Sequence, residues 1–328
     1  MTVQTVAVIA PGDMGHALGM RLHKDGGLRV LTSLAGRSER SKNLAARAGL
    51  EDAGDDATLV KEAQVFLSVV PPGRAVNVAK RFAKAIKATG SSLIYCDLNA
   101  IAPSTAREVE KIVTGAGARF VDGGIVGGAP IEGASLPRIL ISGRDLTDVL
   151  SLNEKGLKFF GVGTEAGQAS GLKICFASIS KGLLGLGAMA FTTAKVLGVD
   201  QALRHELERG PHLKAFENRF PDLGPIAYRF AEEMDQIADT FESAGVTPKV
   251  FRGMADLYRF IEKTPLGKET LENVVLGATM DKVVAVLAGE AGKKKRPAGQ
   301  PAARPKKAAK SGLKRSSRKP KKGSKTKR

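Results

Sequence analysis

The sequence of 328 residues contains no tryptophan, and aromatic residues make up only 5% of it. Hydrophobic residues still make up 43%, so any core must be mainly aliphatic. Cysteine is also scarce. Cys96 and Cys175 lie in apolar stretches without a CxxC spacing or a nearby histidine, which predicts reduced core thiols of an intracellular protein. The histidines show no metal-ligand spacing, so we predict no metal site; they are His16, His23, His205 and His212.

Long hydrophobic runs are missing as well. The first apolar run, Val6 to Ala10, has five residues and no basic leader, so it does not resemble a secretory signal. The longest weakly polar run, Gly182 to Ala194, is too short to span a bilayer and is typical of a buried helix. These features predict a soluble, cytoplasmic protein with no membrane partner.

Acidic residues are absent from the C-terminal segment 293–328, which carries 17 of the 51 lysines and arginines. The rest of the chain holds 34 basic against 33 acidic residues, so the net charge of +18 belongs to this segment. Having almost nothing to bury, the segment is predicted to be a disordered basic tail. Its lysine and arginine clusters are typical of arms for nuclear import or for non-specific nucleic-acid contact, which would allow a nuclear location. The alternative is a solubility tail.

The first 165 residues alternate strand-length apolar runs with amphipathic helical stretches. This alternation is typical of a Rossmann-type, doubly wound parallel sheet. The predicted strands are Thr5–Ala10, Arg29–Leu34, Val65–Val70, Ser92–Asp97, Arg119–Val121, Ile139–Ser142 and Lys158–Val162. The predicted helices are Met14–Lys24, Glu39–Ala48, Arg74–Thr89 and Pro103–Thr114.

After Gly167 only helical periodicity remains, which predicts an all-helical domain over residues 166–292. We expect it to hold substrate and to form a homodimer. The predicted helices are Gln168–Leu197, Ala202–Glu208, Ala227–Ser243, Val250–Lys263 and Asp281–Leu287. On the first of them, the apolar face predicted to be buried consists of Leu172, Cys175, Phe176, Ile179 and Leu183. The polar face contains Ser170, Lys173, Ala177 and Ser180, with Lys181 beside it.

The segment from Val6 to Gly15 predicts a strand, a glycine loop and a helix start. Two of the three glycines of the dinucleotide-binding fingerprint are present, Gly12 and Gly15, with Ala10 in the first position. Gly12 would let the backbone approach a pyrophosphate at the helix N-terminus, and Gly15 would allow close helix–strand packing. The predicted cofactor loop therefore runs Ala10, Pro11, Gly12, Asp13, Met14, Gly15. The alternative is an ordinary tight turn.

The end of the second predicted strand lacks the acid that NAD-binding folds use for the ribose 2′-hydroxyl. Instead, Arg37 and Ser38 are suited to hold a 2′-phosphate, which favours NADP over NAD. Alternatively, Ser38 only caps a helix. Val70 and Pro71 follow another strand and are predicted to pack against the cofactor. Asn99 either contacts nicotinamide or substrate, or has a turn role.

Three segments in this order resemble motifs of the β-hydroxyacid dehydrogenase family, which includes 3-hydroxyisobutyrate and 6-phosphogluconate dehydrogenases. They are Gly12-Asp-Met-Gly15, Asp122-Gly-Gly-Ile-Val-Gly-Gly128 and Gly167-Gln-Ala-Ser-Gly-Leu-Lys173. The resemblance, over about residues 3–285, implies a catalytic lysine at Lys173. It also implies substrate contacts at Val126, Gly127 and Gly128. Two positions depart from the family, since Val126 replaces a serine and Ala177 an asparagine.

The expected function is hydride transfer between NADP(H) and a small hydroxyacid or carbonyl substrate, with Lys173 as general acid and base. Ser170, Ala177 and Lys181 complete the predicted substrate face. The alternatives are an imine reductase, or a catalytically silent NADP-binding protein that its basic tail tethers to nucleic acid. For Lys173 itself, the alternative is an interdomain salt bridge.

Overall fold

A computed structural model of the protein describes residues 3–270 and 273–294. Its strands are β1 Thr5–Ile9, β2 Arg29–Thr32, β3 Glu51–Asp52, β4 Val65–Ser68, β5 Ile94–Asp97, β6 Arg119–Val126, β7 Arg138–Ser142 and β8 Phe159–Gly163. Its helices are α1 Asp13–Lys24, α2 Glu39–Ala48, α3 Asp56–Glu62, α4 Ala75–Thr89, α5 Pro103–Thr114, α6 Thr147–Leu150, α7 Gln168–Leu197, α8 Asp200–Leu207, α9 His212–Arg219, α10 Leu223–Ser243, α11 Lys249–Glu262 and α12 Met280–Lys294.

The strands form one sheet in the order β3-β2-β1-β4-β5-β6-β7-β8. All neighbouring pairs are parallel except β6 and β7, which pair antiparallel through Asp122–Ser142 to Val126–Arg138. The predicted doubly wound sheet is thus confirmed, with one antiparallel pair added. The short β3 was not predicted, because its two residues, Glu51 and Asp52, carry no apolar signal.

The central strands are buried on both faces, which explains their unbroken apolar sequences. In β1, Val6 and Val8 pack into one layer of the core while Ala7 and Ile9 pack into the layer on the other side of the sheet. The strand order reverses between β1 and β4, so a crevice opens at their carboxyl ends, where doubly wound sheets bind ligands.

The helical region begins with α7, whose predicted bounds the structure confirms. Gly198, in the left-handed conformation at φ 76°, ends it. The side of α7 that enters the helical core carries Ile174, Ala177, Leu184, Ala188 and Phe191. These residues pack against α10, α11 and α12.

The predicted burial of the other apolar side of α7 is wrong. Leu172, Phe176, Ile179 and Leu183 are exposed, with fractions between 36% and 72%. Cys175 is exposed too, so only Cys96 is a buried thiol. The physical reason is that α7 has two apolar sides, and one chain supplies enough neighbours to cover only one of them.

Helix bounds elsewhere differ modestly from the prediction. The short helices α3, α6 and α9 were not predicted, α10 begins at Leu223, and α12 extends to Lys294. Lys293 and Lys294 are therefore helical, whereas the rest of the predicted tail lies outside the described residues. Within the described chain, α7 is the one helix long and apolar enough to cross a membrane, and half of its most apolar 18-residue window is buried inside the protein.

Candidate functional site

The glycine loop joins β1 to α1 at the carboxyl edge of the sheet. Gly12 is the N-cap of α1 and has no side chain to accept from the first-turn N–H groups. A Cβ atom at Gly12 would meet no protein atom within 4 Å, so the backbone faces open space. At Gly15, a Cβ atom would lie 2.0 Å from the carbonyl oxygen of Ala10, so only glycine lets α1 approach the strand this closely. The loop thus offers free N–H donors and room for a pyrophosphate.

The other predicted loop residues surround this space. Ala10 and Met14 are half-buried, Pro11 is buried, and Asp13 is exposed. Asp13 Oδ1 accepts a hydrogen bond from Arg40 Nη2 at 2.5 Å. This contact ties the start of α1 to α2, the helix that follows the predicted phosphate site.

Arg37 lies beyond the end of β2 and is half-buried. Burial lowers the pKa of its guanidinium, and the positive charges of Arg81 and Arg74 lower it further. Arg81 is paired with Asp56, at 2.6 Å, and also donates to Ser33. Arg37 and Arg74 therefore leave an excess of positive charge here, which suits a phosphate. Ser38 is exposed and acts as the N-cap of α2, accepting from Ser41 N.

Asn99 has the turn role that the sequence left open. It is buried, its Oδ1 accepts from Val70 N at 2.6 Å, and its Nδ2 donates to Ser68 Oγ and Asp97 Oδ2, both at 2.9 Å. Both polar atoms of the Asn99 side chain are therefore engaged within the protein. Asn99 instead fixes the carboxyl ends of β4 and β5, leaving half-buried Val70 and exposed Pro71 at the crevice.

Asp122, in β6, anchors the start of α7. Its Oδ2 accepts from Gly167 N at 2.9 Å, Ser170 N at 3.0 Å and Ser142 Oγ at 3.1 Å, and its Oδ1 accepts from Ser170 Oγ. A carboxylate satisfies N–H groups at a helix start and opposes the positive end of the helix dipole. Ser170 is therefore buried in an interdomain contact. Its hydroxyl donates to Asp122, whereas the sequence predicted that it would face a substrate.

This anchor places Lys173, one turn further along α7, against β6. A Cβ atom at Gly124 would lie 2.9 Å from the Lys173 side chain, so glycine at this position makes room for the lysine stem. Lys173 is half-buried. Burial lowers its pKa to about 8, and the positive charge of Arg229 contributes to the shift. Within the described residues Lys173 has no acidic partner, which argues against an interdomain salt bridge.

The remaining predicted substrate residues form two groups, one at the end of β6 and one on α7. Val126 is half-buried at the end of β6, followed by exposed Gly127 at φ 129° and Gly128, where a Cβ atom would meet open space. Ala177 is buried in the helical core. Lys181 forms an ion pair with Glu233 of α10 and lies 4.4 Å from the centre of the Phe230 ring.

Sequence reasoning missed several residues of this site. Arg74, Arg81, Arg229 and Glu233 approach it only through tertiary contacts and lie outside the quoted motifs, whereas Gly124 lies within the Asp122–Gly128 motif but was given no role. For Arg74, its position directly after the strand-ending Val70–Gly73 segment was a usable signal. For Arg229 and Glu233, the four-residue spacing places both on one side of a helix but does not indicate which element that side packs against.

Two family models match the chain. Residues 5–146 match the NAD-binding domain of 6-phosphogluconate dehydrogenase, and residues 194–261 match a domain of unknown function, DUF1932. A relative from Methanothermus fervidus, described as an uncharacterized 28.5 kDa protein, is 26% identical over 72% of this chain and 91% of its own length.

Solved structures with the same fold include enzymes. One is a conserved protein of unknown function described as similar to 3-hydroxyacid dehydrogenases, with 28% identity, a TM-score of 0.61 and coverage of 79% and 96% of the two chains. A 3-hydroxyisobutyrate dehydrogenase from Mycobacterium tuberculosis has 19% identity, a TM-score of 0.64 and coverage of 88% and 99%. A reductive aminase from Aspergillus terreus, in complex with NADPH, has 19% identity, a TM-score of 0.51 and coverage of 87% and 99%.

The likeness therefore extends over both the nucleotide-binding half and the helical half of the chain. It supports an oxidoreductase that uses a nicotinamide dinucleotide. Residues 5–146 thus match an NAD-binding domain of the 6-phosphogluconate dehydrogenase type, residues 194–261 match DUF1932, and the chain as a whole is similar to β-hydroxyacid dehydrogenase-like proteins.

Proposed function

We propose that this protein is an NADP-dependent oxidoreductase that transfers hydride between NADP(H) and a small hydroxyacid or carbonyl substrate. The observation that carries the proposal is the position of Lys173 against Gly124 of β6, where burial lowers its pKa to about 8 and no acidic residue of the described chain pairs with it. When bound, the nicotinamide supplies the hydride acceptor or donor. The residues that would hold the dinucleotide are the loop Ala10–Gly15, Arg37, Val70 and Pro71.

Lys173 Nζ provides the proton chemistry. In its neutral form it accepts the proton of the substrate hydroxyl during oxidation, and as an ammonium it donates a proton to the substrate oxygen during reduction. Because its pKa is about 8, both forms are populated near neutral pH. Oxidation should therefore become faster as the pH rises through about 8, and reduction should become slower.

Arg37 and Arg74 support NADP over NAD. No carboxylate follows β2 before Glu39, whereas Arg74 and Arg81 lie close enough to Arg37 for their positive charges to lower its pKa. A phosphate dianion would relieve the repulsion among these arginines.

Reduction of an imine is the second candidate. Val126 cannot supply the serine hydroxyl of the family motif, and Ala177 is buried where the family has asparagine. The fold is also that of a reductive aminase. Lys173 favours hydroxyacid or carbonyl chemistry, because an imine carries no hydroxyl proton for a base to remove.

A panel of hydroxyacids, aldehydes, ketones and imines, followed by NADPH absorbance, tests the proposed function. We expect turnover with a hydroxyacid or its carbonyl product. Turnover of imines alone would replace the first candidate by the second, and an inactive protein that still binds NADPH would favour the catalytically silent alternative.

We further propose a homodimer through α7. Its exposed residues Leu172, Phe176, Ile179, Leu183 and Leu186 follow a 4-3-4-3 spacing and so form one continuous apolar stripe. The neighbouring groove, to which Val250 and Phe251 of α11 contribute, extends this stripe. A stripe of this spacing is self-complementary, which suits a second copy related by a two-fold axis.

The basic segment 293–328 is proposed to contact nucleic acid without sequence preference. Its lysines and arginines would neutralise phosphates. A cytoplasmic location, or a nuclear one directed by the same segment, belongs to this proposal.

A further inference from the structure

Helix α10 packs against α7, and its Arg229 lies close enough to Lys173 to affect the charge of that lysine; the space between β6, α7 and α10 is called the cleft here. It contacts the Pro72–Arg74 turn after β4, and Gln236 Oε1 accepts a hydrogen bond from Ala102 N at 2.8 Å. Arg229, Glu233 and Gln236 are four and three residues apart, so they share one side of this helix. Glu233 contacts Lys181 of α7, so this side of α10 is turned toward α7 and the sheet edge.

Positive charge exceeds negative charge between α7 and α10. Burial lowers the pKa of Lys181, and so do the positive charges of Lys173, Arg229 and Arg219. Arg219 has Asp222 at 3.8 Å. Glu233 is the carboxylate shared by Lys181 and Arg229, and it contacts Lys181 more closely. An anion entering here would find cations that internal carboxylates do not fully neutralise.

Arg229 is the member of this group best able to bind a ligand. Its side chain is 49% exposed, and its Nε lies 3.7 Å from Glu233 Oε1, too far for a hydrogen bond. Within the described chain, no hydrogen bond engages its guanidinium. The Phe230 ring, 5.9 Å away, supports the guanidinium plane. A guanidinium held in this way presents paired N–H donors, which match the two oxygens of a carboxylate.

We propose that Arg229 binds the carboxylate of the substrate and so directs the carbon that reacts toward Lys173. The inference rests on the proposed function and names the residue that holds the acid group of its substrate. The side of the cleft formed by β6 offers Val126 in place of a hydroxyl, so the anion is held from α10 instead. One guanidinium fits the single charge of a carboxylate.

Binding of 3-hydroxypropionate to the NADPH-loaded protein, followed by NADPH fluorescence, tests this without turnover. The absence of tryptophan leaves the cofactor signal free of strong protein emission. We expect Arg229→Gln to weaken binding by about tenfold or more, the effect of losing one charge-assisted contact. The affinity of Arg229→Lys should lie between those of the parent protein and of Arg229→Gln. Arg209→Gln, an exposed control with the same charge change, should bind like the parent protein, and 1,3-propanediol should bind weakly to every variant.

A second readout separates ligand binding from a structural role. Loss of the Arg229 charge should raise the pKa of Lys173, so the pH profile for oxidation should move to higher pH in Arg229→Gln. Its KM should rise more than its kcat falls, and Arg229→Lys should restore the profile.

Failure of this inference and failure of the proposed function are distinguishable. Absent binding of 3-hydroxypropionate, equal binding by Arg229→Gln, or stronger competition from inorganic phosphate than from acetate would overturn the carboxylate assignment. NADPH-dependent turnover of neutral carbonyl compounds could persist in that case. Arg229-dependent carboxylate binding without turnover of any panel compound would instead retain the inference and reject the oxidoreductase.

Discussion

The glycines of the candidate site have different physical roles, even though all three lie in the family motifs. Gly15 is required by packing, because any side chain there would collide with the Ala10 carbonyl oxygen. Gly12 faces open space, so packing within the described residues does not require glycine there, and under the proposed function that space is for the dinucleotide. Gly124 makes room for Lys173 from a neighbouring strand. A glycine in a motif can therefore serve the fold, the ligand or another side chain.

Cofactor choice is a residue-scale prediction centred on Arg37. NADPH should bind at least about tenfold more tightly than NADH, equivalent to about 1.4 kcal/mol. Arg37→Ala should remove most of that difference, because Arg37 contributes a charge-assisted phosphate contact. Titration calorimetry with both cofactors measures it.

The control is Arg47→Ala, an exposed position at the other end of α2, which should keep the preference for NADPH. Equal affinities of the parent protein for both cofactors would show that Arg37 and Arg74 do not form a 2′-phosphate site.

At the scale of elements, α7 connects the two halves of the protein. Its N-terminus is held by Asp122, its inner side fills the helical core, and its outer side is an exposed apolar stripe. The periodic sequence predicted the length of this helix, because the helical periodicity continues until Gly198. The same sequence predicted the wrong side of α7 as buried in the core, since both sides carry apolar residues.

The exposed stripe leads to a prediction about association. Ile179→Glu places a charge at the most exposed apolar position of α7, and it should convert a dimer into a monomer at micromolar concentration. Sedimentation velocity measures this. Ile131→Glu, which also charges an exposed isoleucine but lies outside the helical domain, should remain dimeric. A monomeric parent protein would remove the dimer proposal.

The candidate site was predictable from sequence where a motif reports a local backbone requirement. The glycine loop and Lys173 are of this kind, because their spacing reflects the strand, turn or helix that contains them. Ser170 was assigned a substrate role, and Asn99 either a ligand role or a turn role, yet the side chains of both form internal hydrogen bonds. Sequence could not distinguish a polar group that faces a cleft from one that satisfies a buried partner. Arg229 and Glu233 depend on how α10 packs against α7, which no local pattern encodes.

At the scale of the whole molecule, charge is divided unevenly along the chain. Residues 293–328 hold almost all of the net positive charge, so the folded part is close to neutral. The fold and the candidate site both lie within the described residues, and the proposed nucleic-acid contact lies almost wholly beyond them.

This division predicts that removal of residues 295–328 separates two properties. The deletion removes 15 basic residues and leaves α12 intact. Retention of DNA at near-physiological salt should disappear, since it depends on phosphate neutralisation, and in the full chain it should fall steeply with added salt. NADPH turnover should persist. Retention by the truncated protein, or loss of its turnover, would contradict the separation.

The environment of Lys173 depends on all three scales: on Gly124 beside it, on the Asp122 anchor at the start of α7, and on the packing of α10 against α7. The most direct test of the account is to compare kcat of Lys173→Ala with that of the parent protein, using the best substrate of the panel and measuring NADPH affinity alongside. We expect kcat to fall by about 10² or more while the affinity for NADPH changes little, the pattern for loss of an acid–base group. Unchanged turnover in Lys173→Ala would contradict the account and exclude Lys173 from the chemistry.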